Sequence, residues 1–161
     1  MSRIVSSKMA TKSLPDTDHV VRHVPSKLLD DNGMPFPQAF ELRPAEAYLS
    51  TSWSEFFDGL LADRLAGCAC VMSHNRKIKA RDAFAVGNVG EIKDAFAEFN
   101  QKIRIVSEPD PAPSGLNIAY AAIRQIQTDS LELLELLAQD VWNDVHSAAA
   151  PLAKIGPWRK K

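Results

Sequence analysis

The sequence predicts an α+β fold in which one mixed or antiparallel sheet packs against about three helices. The length supports this, because 161 residues is the size of one ordinary domain with one core. The composition agrees, since 45% hydrophobic and 24% charged residues are typical of a globular chain. Short β-rich runs and amphipathic stretches also alternate irregularly, without the regular βαβ series of a parallel sheet.

The predicted domain has a polar stretch at each end. Residues 1–16 are rich in serine and lysine, a composition that predicts a flexible tail. Residues 17–150 hold the predicted globular domain. Residues 151–161 end in basic side chains and are predicted to form a C-terminal tail.

The first half of the domain begins with predicted strands and turns. His19–Val24 is β-branched and stops at Pro25, which predicts a strand. Asp30–Gly33 is a turn cluster. Gln38–Leu42 alternates and predicts a second strand, and Pro44–Tyr48 predicts a single helical turn because proline is favoured at the first helical position.

An amphipathic helix is predicted next. Ser52 and Glu55 have the S-x-x-E spacing of a capping box, and Gly67 supplies a stop. The large apolar residues that follow recur at helical spacing. They are Trp53, Phe56, Phe57, Leu60, Leu61 and Leu65.

The second half continues the mixed pattern. Further strands are predicted at Cys68–Met72, Ala83–Val86, Lys102–Val106 and Leu116–Ile123. Asn88 with Glu91 predicts a capped helix. Asp129 with Glu132 predicts the cap of the last and longest helix, which Pro151 ends. Its predicted buried face comprises Leu131, Leu134, Ala138, Val141, Trp142 and Val145.

Charge and cysteine content restrict the classes of function. A formal net charge of -1 removes the general electrostatic case for nucleic acid, so that partner is predicted to be unlikely. Two cysteines, Cys68 and Cys70, indicate reduced intracellular thiols rather than a disulfide framework. Neither a secretory signal nor a bilayer-spanning apolar run is recognisable, which predicts a cytoplasmic protein without membrane contact.

Most of the unusual chemistry lies between Asp18 and Phe57. Arg22, His23 and Arg43 stand beside proline turns, and Ser50 begins a Ser-Thr-Ser run. Arginine clamps anions and histidine titrates near neutral pH, so these four residues are the candidate binding residues. No nucleophile is paired with a base, and no catalytic residue is assigned. A packed surface arginine and a helix-capping serine are the structural alternatives.

The arginine-bearing strand followed by the serine run resembles the arrangement in ADP-ribosyltransferases. That resemblance implies that Arg22 or His19 holds a nicotinamide dinucleotide and that the serine run buttresses the pocket. It also implies a late catalytic glutamate in an E-x-E or Q-x-E loop at a strand. The chain offers Glu132 and Glu135 instead, within a predicted helix, which counts against the transfer chemistry.

Three weaker motifs have structural alternatives. Cys68, Cys70 and His74 provide three zinc ligands, one fewer than a structural zinc site uses, so no metal is predicted. Gly87-x-x-Gly90 can form a tight turn as readily as a phosphate cradle. The basic cluster from Arg76 to Arg81 is predicted to be a solvated turn, with nucleic-acid contact as the alternative.

A second resemblance covers Asp18 to Ile123. Its motifs are short: Arg22-His23-Val24-Pro25, Ala39-Phe40, Leu49-Ser50, and a strand that runs into Pro109 through Pro113. In these respects the chain is similar to small bacterial proteins that are uncharacterised, so the resemblance implies no activity. Those proteins have a histidine in the strand after the proline loop, where this chain reads Asn117-Ile118-Ala119-Tyr120.

Two functional hypotheses follow. The first is a small cytoplasmic non-catalytic protein that acts through a protein partner or as an accessory to a larger system, without a cofactor. The alternative is a small enzyme or nucleotide-binding domain with a site around Arg22, Arg43 and Ser50. Sequence alone determines neither the catalytic activity nor the oligomeric state.

Overall fold

A seven-stranded antiparallel sheet organises the computed structural model, which describes residues 11–155. The spatial order of the strands is β1-β5-β6-β3-β2-β4-β7. The α+β class predicted from the sequence is confirmed. The strands are β1 (Lys12–Ser13), β2 (His19–Val24), β3 (Tyr48–Trp53), β4 (Ala83–Asn88), β5 (Arg104–Ser107), β6 (Tyr120–Arg124) and β7 (Asp144–Ser147).

Helices connect and cover the strands. The α-helices are α1 (Leu61–Met72), α2 (Val89–Ala97), α3 (Leu131–Leu136) and α4 (Ala149–Lys154). A π-helical segment, Leu137–Val141, continues α3. Short 3-10 segments lie at Ser26–Leu28, Pro37–Phe40 and Ser54–Phe56. Within residues 11–155, none of these helices combines the length and hydropathy that crossing a bilayer requires.

Apolar clusters lie on both faces of the sheet, and β2 contributes to both because its successive side chains point to opposite sides. Val20 and Val24 of β2 belong to the larger core cluster, with side chains of α2, α3 and the Pro37–Phe40 segment. Val21 belongs to a second cluster formed with α1. Trp142 is fully buried in the larger cluster and stacks on Phe40, with ring centroids 5.3 Å apart.

Local signals locate several elements correctly. β2 has the predicted bounds, and β4 and β5 overlap their predictions at Ala83–Val86 and Lys102–Val106. Asn88 caps α2, because its side-chain oxygen accepts a hydrogen bond of 2.9 Å from the Glu91 amide. Each of these elements carries its own start or stop signal, which is why pattern alone suffices.

The helix predicted to begin at Ser52 is wrong. Ser52 lies in β3, and α1 begins only at Leu61. Glu55 does not cap a helix but accepts hydrogen bonds of 2.7 Å from both the backbone amide and Nδ1 of His19. Gly59 has a φ of 103°, a conformation that glycine adopts readily and that separates β3 from α1. The helical spacing therefore spans two different elements.

The apolar run Cys68–Met72, predicted to be a strand, is the second half of α1. Periodicity cannot distinguish a short apolar strand from a buried helical segment. Gly67 lies inside this helix rather than at its end. A Cβ atom there would come within 2.6 Å of the Phe57 ring, so this glycine permits close packing.

Other predicted elements also differ in type. Gln38–Leu42 forms no strand, because Pro37–Phe40 is a 3-10 helix. The helical turn predicted at Pro44–Tyr48 is absent from the described residues, and Tyr48 opens β3. Of the strand predicted at Leu116–Ile123, only the part from Tyr120 onward is regular.

The C-terminal region is divided more finely than predicted. Ser130, rather than Asp129, caps α3 by accepting a hydrogen bond of 3.3 Å from the Leu133 amide. The helix does not continue to Pro151, because β7 intervenes and Pro151 lies within α4. At the other end of the chain, β1 lies within the predicted flexible tail and pairs with β5. Residues 1–10 and 156–161 of the predicted tails lie outside the described residues.

Candidate functional site

A gap between β2 and β3 organises the candidate site. β2 pairs with β4 along its whole length, and β3 pairs with β6 from Tyr48 to Ser52. β2 and β3, however, pair only at Val20 with Trp53 and at Val21 with Ser52. Beyond these pairs the two central strands diverge, which leaves an opening in the sheet.

Arg22 fills part of this opening. Its Nε donates a hydrogen bond of 2.7 Å to the Ala39 carbonyl, and its Nη1 donates one of 2.8 Å to the Ser50 carbonyl. The Ser50 carbonyl thus accepts from a side chain where the sheet ladder is interrupted, as a backbone acceptor away from water requires. Nη2 of Arg22 has no hydrogen-bond partner within residues 11–155.

The four predicted binding residues line one cleft of about 770 Å³ beside the gap. Arg22 and His23 come from β2, Ser50 from β3, and Arg43 from the loop before β3. Arg76, from the loop after α1, joins them. We refer to the space lined by these five residues as the arginine cleft.

Three arginines and two glutamates line the arginine cleft, so the formal charge of its lining is positive. Among the described residues, neither Arg22, Arg43 nor Arg76 forms an ion pair with a carboxylate. Burial and, secondly, repulsion by Arg76 lower the pKa of Arg22 to about 10. Glu41 and Glu46 also line the cleft, and the Glu46 carboxylate accepts a hydrogen bond of 2.9 Å from the Arg43 backbone amide.

His23 is held by an acidic partner from a distant part of the chain. Its Nε2 lies 2.9 Å from Oδ2 of Asp82, and both side chains are buried. Burial lowers the pKa of His23, although the hydrogen bond to Asp82 opposes this effect. A neutral imidazole that donates Nε2–H to an ionised Asp82 accounts for this geometry, and it leaves Nδ1 as an acceptor.

A smaller cavity adjoins the arginine cleft. It measures about 220 Å³ and shares His23, Ser50, Asn75 and Arg76 with the cleft. Its remaining polar lining includes the side chains of Tyr48, Ser52, Asp110, Asn117 and Tyr120. We refer to it as the inner cavity.

Other predicted candidates lie elsewhere. His19 pairs with Glu55, and Glu132 and Glu135 are exposed on α3 without lining the cleft. Within residues 11–155, no group of three histidine, cysteine or acidic side chains is placed to hold a metal. Burial raises the pKa of the Cys68 thiol in α1.

The Gly87-x-x-Gly90 motif does not form a phosphate cradle. Gly87 lies in β4, where an added Cβ atom would come within 2.9 Å of the Trp142 ring. Gly90 lies in the first turn of α2, where its amide donates a hydrogen bond of 3.0 Å to the Asp16 carbonyl. Close packing therefore accounts for both glycines.

Three residues of the site escape the sequence prediction. Arg76 belongs to the basic cluster, whose composition indicates only a solvated turn. Asp82 and Asp110 belong to no recognisable motif, and each has a side-chain partner that is distant in sequence, His23 and Asn75, respectively. The spacing of residues in the sequence does not identify these three residues, because strand pairing and loop packing bring them to their partners.

The motifs behind the two resemblances are only partly reproduced in space. Arg22 and the run from Ser50 to Ser52 do lie on neighbouring strands, but the late glutamates do not reach the cleft. Asn117 and Tyr120, from the region of the second resemblance, line the inner cavity. No protein-family model, no curated protein and no solved structure matches this chain.

Proposed function

We propose that the protein binds a small phosphate-bearing anion in the arginine cleft. The observation that carries this proposal is the convergence of Arg22, Arg43 and Arg76 on one cleft without an ion-paired carboxylate in the described residues. Guanidinium groups match phosphate oxygens in charge and geometry and frequently contact them through two parallel hydrogen bonds. The nucleotide-binding hypothesis is one case of this function.

The contacts of Arg22 support an anchoring role. Two of its nitrogens are fixed by backbone carbonyls at 2.7 and 2.8 Å, so the guanidinium plane is oriented before a ligand arrives. A preorganised donor loses little conformational entropy on binding. Burial and the neighbouring Arg76 disfavour the charged form of Arg22, and a bound anion favours it.

Arg43 and Arg76 provide the most direct test because both side chains are exposed and neither makes an ion pair in the described residues. We expect Arg43→Ala and Arg76→Ala each to weaken binding of inorganic phosphate about tenfold, since a charge-assisted hydrogen bond contributes about 1.5–3 kcal/mol. Isothermal titration calorimetry measures the affinities. Thermal unfolding checks that each variant retains its stability.

Arg81→Ala is the matched control. Arg81 is exposed in the same basic segment and donates a hydrogen bond to the Ser26 hydroxyl, but it does not line the cleft. We expect this variant to bind phosphate like the wild type. Equal weakening in all three variants would indicate a general charge effect, and no binding to the wild type would contradict the proposal.

A second candidate function is that of a non-catalytic cytoplasmic protein that acts through a protein partner. The observation that favours it is an exposed apolar segment before and at the start of α1. Phe56, Leu60 and Leu61 are 42%, 79% and 38% exposed, respectively. Exposed clusters of this kind are typical of interaction sites. If a protein partner binds the wild type stoichiometrically but does not bind Leu60→Asp, and this variant still binds phosphate, the result would support this candidate.

A further inference from the structure

The inner cavity differs from the arginine cleft in its chemistry. Hydroxyl, amide and carboxylate groups surround it, and Asp110 is the acidic residue in its lining. Arg76 lies between the two spaces and belongs to both linings. Arg22 and Arg43 therefore line only the arginine cleft, and the Asp110 carboxylate lines only the inner cavity.

Asp110 is held rigidly in the ionised state. Its Oδ1 accepts a hydrogen bond of 2.9 Å from the Ala112 amide, and its Oδ2 accepts from the Asn117 amide at 3.0 Å and from Nδ2 of Asn75 at 2.8 Å. Burial opposes the charge, but these donors and the nearby Arg76 outweigh it and lower the pKa of Asp110. A carboxylate has about four acceptor positions, so one remains for a ligand donor.

The hydroxyl groups of the inner cavity are paired with one another. Ser50 Oγ and the Tyr120 hydroxyl lie 2.9 Å apart, and Ser52 Oγ accepts a hydrogen bond of 3.0 Å from Nδ2 of Asn117. A hydroxyl group both donates and accepts, so the Ser50–Tyr120 pair still has acceptor capacity for a ligand hydroxyl. Asp110 repels a second anionic group and attracts a hydrogen-bond donor.

The size of the inner cavity limits what it can hold. A volume of about 220 Å³ is the space of about seven water molecules at ~30 Å³ each. That is room for one pentose-sized group. Because four residues line both spaces, a short ligand that places its phosphate in the cleft brings its next group to the inner cavity.

We propose that the inner cavity binds the hydroxyl-bearing part of an organic phosphate whose phosphate group lies in the arginine cleft. This inference rests on the proposed function, which supplies the phosphate position. The ligand class is then a phosphorylated polyol such as a sugar phosphate or the ribose phosphate part of a nucleotide. Tyr120 and Ser50 select for the hydroxyl groups, and Asp110 accepts from one of them.

The test compares three monophosphates by isothermal titration calorimetry. Ribose 5-phosphate carries hydroxyls, butyl phosphate has a similar chain without them, and inorganic phosphate probes the cleft alone. We expect ribose 5-phosphate to bind at least tenfold more tightly than the other two. In Tyr120→Phe, this preference falls at least threefold while the affinity for inorganic phosphate is unchanged, because Tyr120 lines only the inner cavity. In Ser50→Ala, the preference also falls at least threefold. In Arg43→Ala, all three affinities fall.

The outcomes separate the two proposals. If inorganic phosphate binds but ribose 5-phosphate binds no more tightly than butyl phosphate, the inference about the inner cavity is overturned and the anion site stands. If neither Tyr120→Phe nor Ser50→Ala changes the preference, the inner cavity is not the hydroxyl site. If none of the three ligands binds, both proposals are overturned. Thermal unfolding identifies a variant that has lost its fold, and the other variant then decides.

Discussion

The imidazole Nε2 of His23 donates a hydrogen bond of 2.9 Å to Oδ2 of Asp82, although 59 positions separate the two residues. His23 is on β2 and also lines the arginine cleft. Asp82 lies immediately before β4, which pairs with β2 along its length. The contact therefore connects the candidate site to the paired strands β2 and β4.

The charge states of this pair predict how stability depends on pH. Burial holds the pKa of His23 below its ordinary value of 6.5, so below that pH the unfolded chain binds a proton that the folded protein resists. Stability must then decrease as the pH falls through 6.5. Burial raises the pKa of Asp82, but hydrogen bonds from Lys79, His23 and Ser26 outweigh it and hold the pKa below 3.8. A further decrease follows below that value.

His23→Gln tests the first of these decreases. The amide retains a donor for Asp82 but does not titrate, so we expect a shallower loss of stability between about pH 7 and pH 5 than in the wild type. His74→Gln, in an exposed position of the loop after α1, should leave the slope unchanged. Urea unfolding at a series of pH values measures it. An identical slope in His23→Gln and the wild type contradicts the prediction.

Asp82→Ala should destabilise the protein through the lost acceptor. The carboxylate accepts from the Ser26 amide and the Lys79 amide, both at 2.9 Å, as well as from His23. Removing it leaves three donors short of a partner, and we expect a cost of about 3 kcal/mol in the free energy of unfolding.

Asp31→Ala is the control for Asp82→Ala, because Asp31 is exposed in a turn. Its substitution should change the free energy of unfolding by no more than ~0.5 kcal/mol. Chemical denaturation at neutral pH measures both variants. Similar effects for the two substitutions would show that the Asp82 network contributes little to folding.

Leu133→Ala and Leu131→Ala compare the two sides of α3. The sequence pattern puts Leu131 in the core, but Leu131 is 57% exposed, whereas Leu133 is fully buried. We expect Leu133→Ala to cost about 2–5 kcal/mol because it opens a cavity. Leu131→Ala should cost ~0.5 kcal/mol or less. Thermal or chemical unfolding of the pair gives the ranking, and the reverse order would contradict the orientation of α3.

Gly67→Ala separates helix propensity from packing. At an open helical position this substitution stabilises by about 1 kcal/mol. Here the added methyl group would lie 2.6 Å from the Phe57 ring, and overpacking of this kind costs about 1–3 kcal/mol. We therefore expect net destabilisation in chemical unfolding. Stabilisation instead would indicate that the Phe57 ring moves aside freely.

Sequence by itself determined the elements that carry local signals. The bounds of β2, the Asn88 cap of α2 and the turn at Gly33 follow from proline, capping and glycine residues within a few positions. The choice of Arg22, His23, Arg43 and Ser50 as the candidate residues also came from local chemistry, and all four line one cleft.

Only the tertiary structure decided how those residues meet. Ser52 and Glu55 have the spacing of a capping box. In the structure, however, Ser52 lies in β3 and pairs with β6, and the Glu55 carboxylate accepts a hydrogen bond from His19. Strand pairing and burial outweigh a cap that contributes about 1 kcal/mol. Arg76 and Asp82 reach the site by the same long-range packing. A local pattern contains the elements but not their partners, and the gap between β2 and β3 exists only once the sheet has formed.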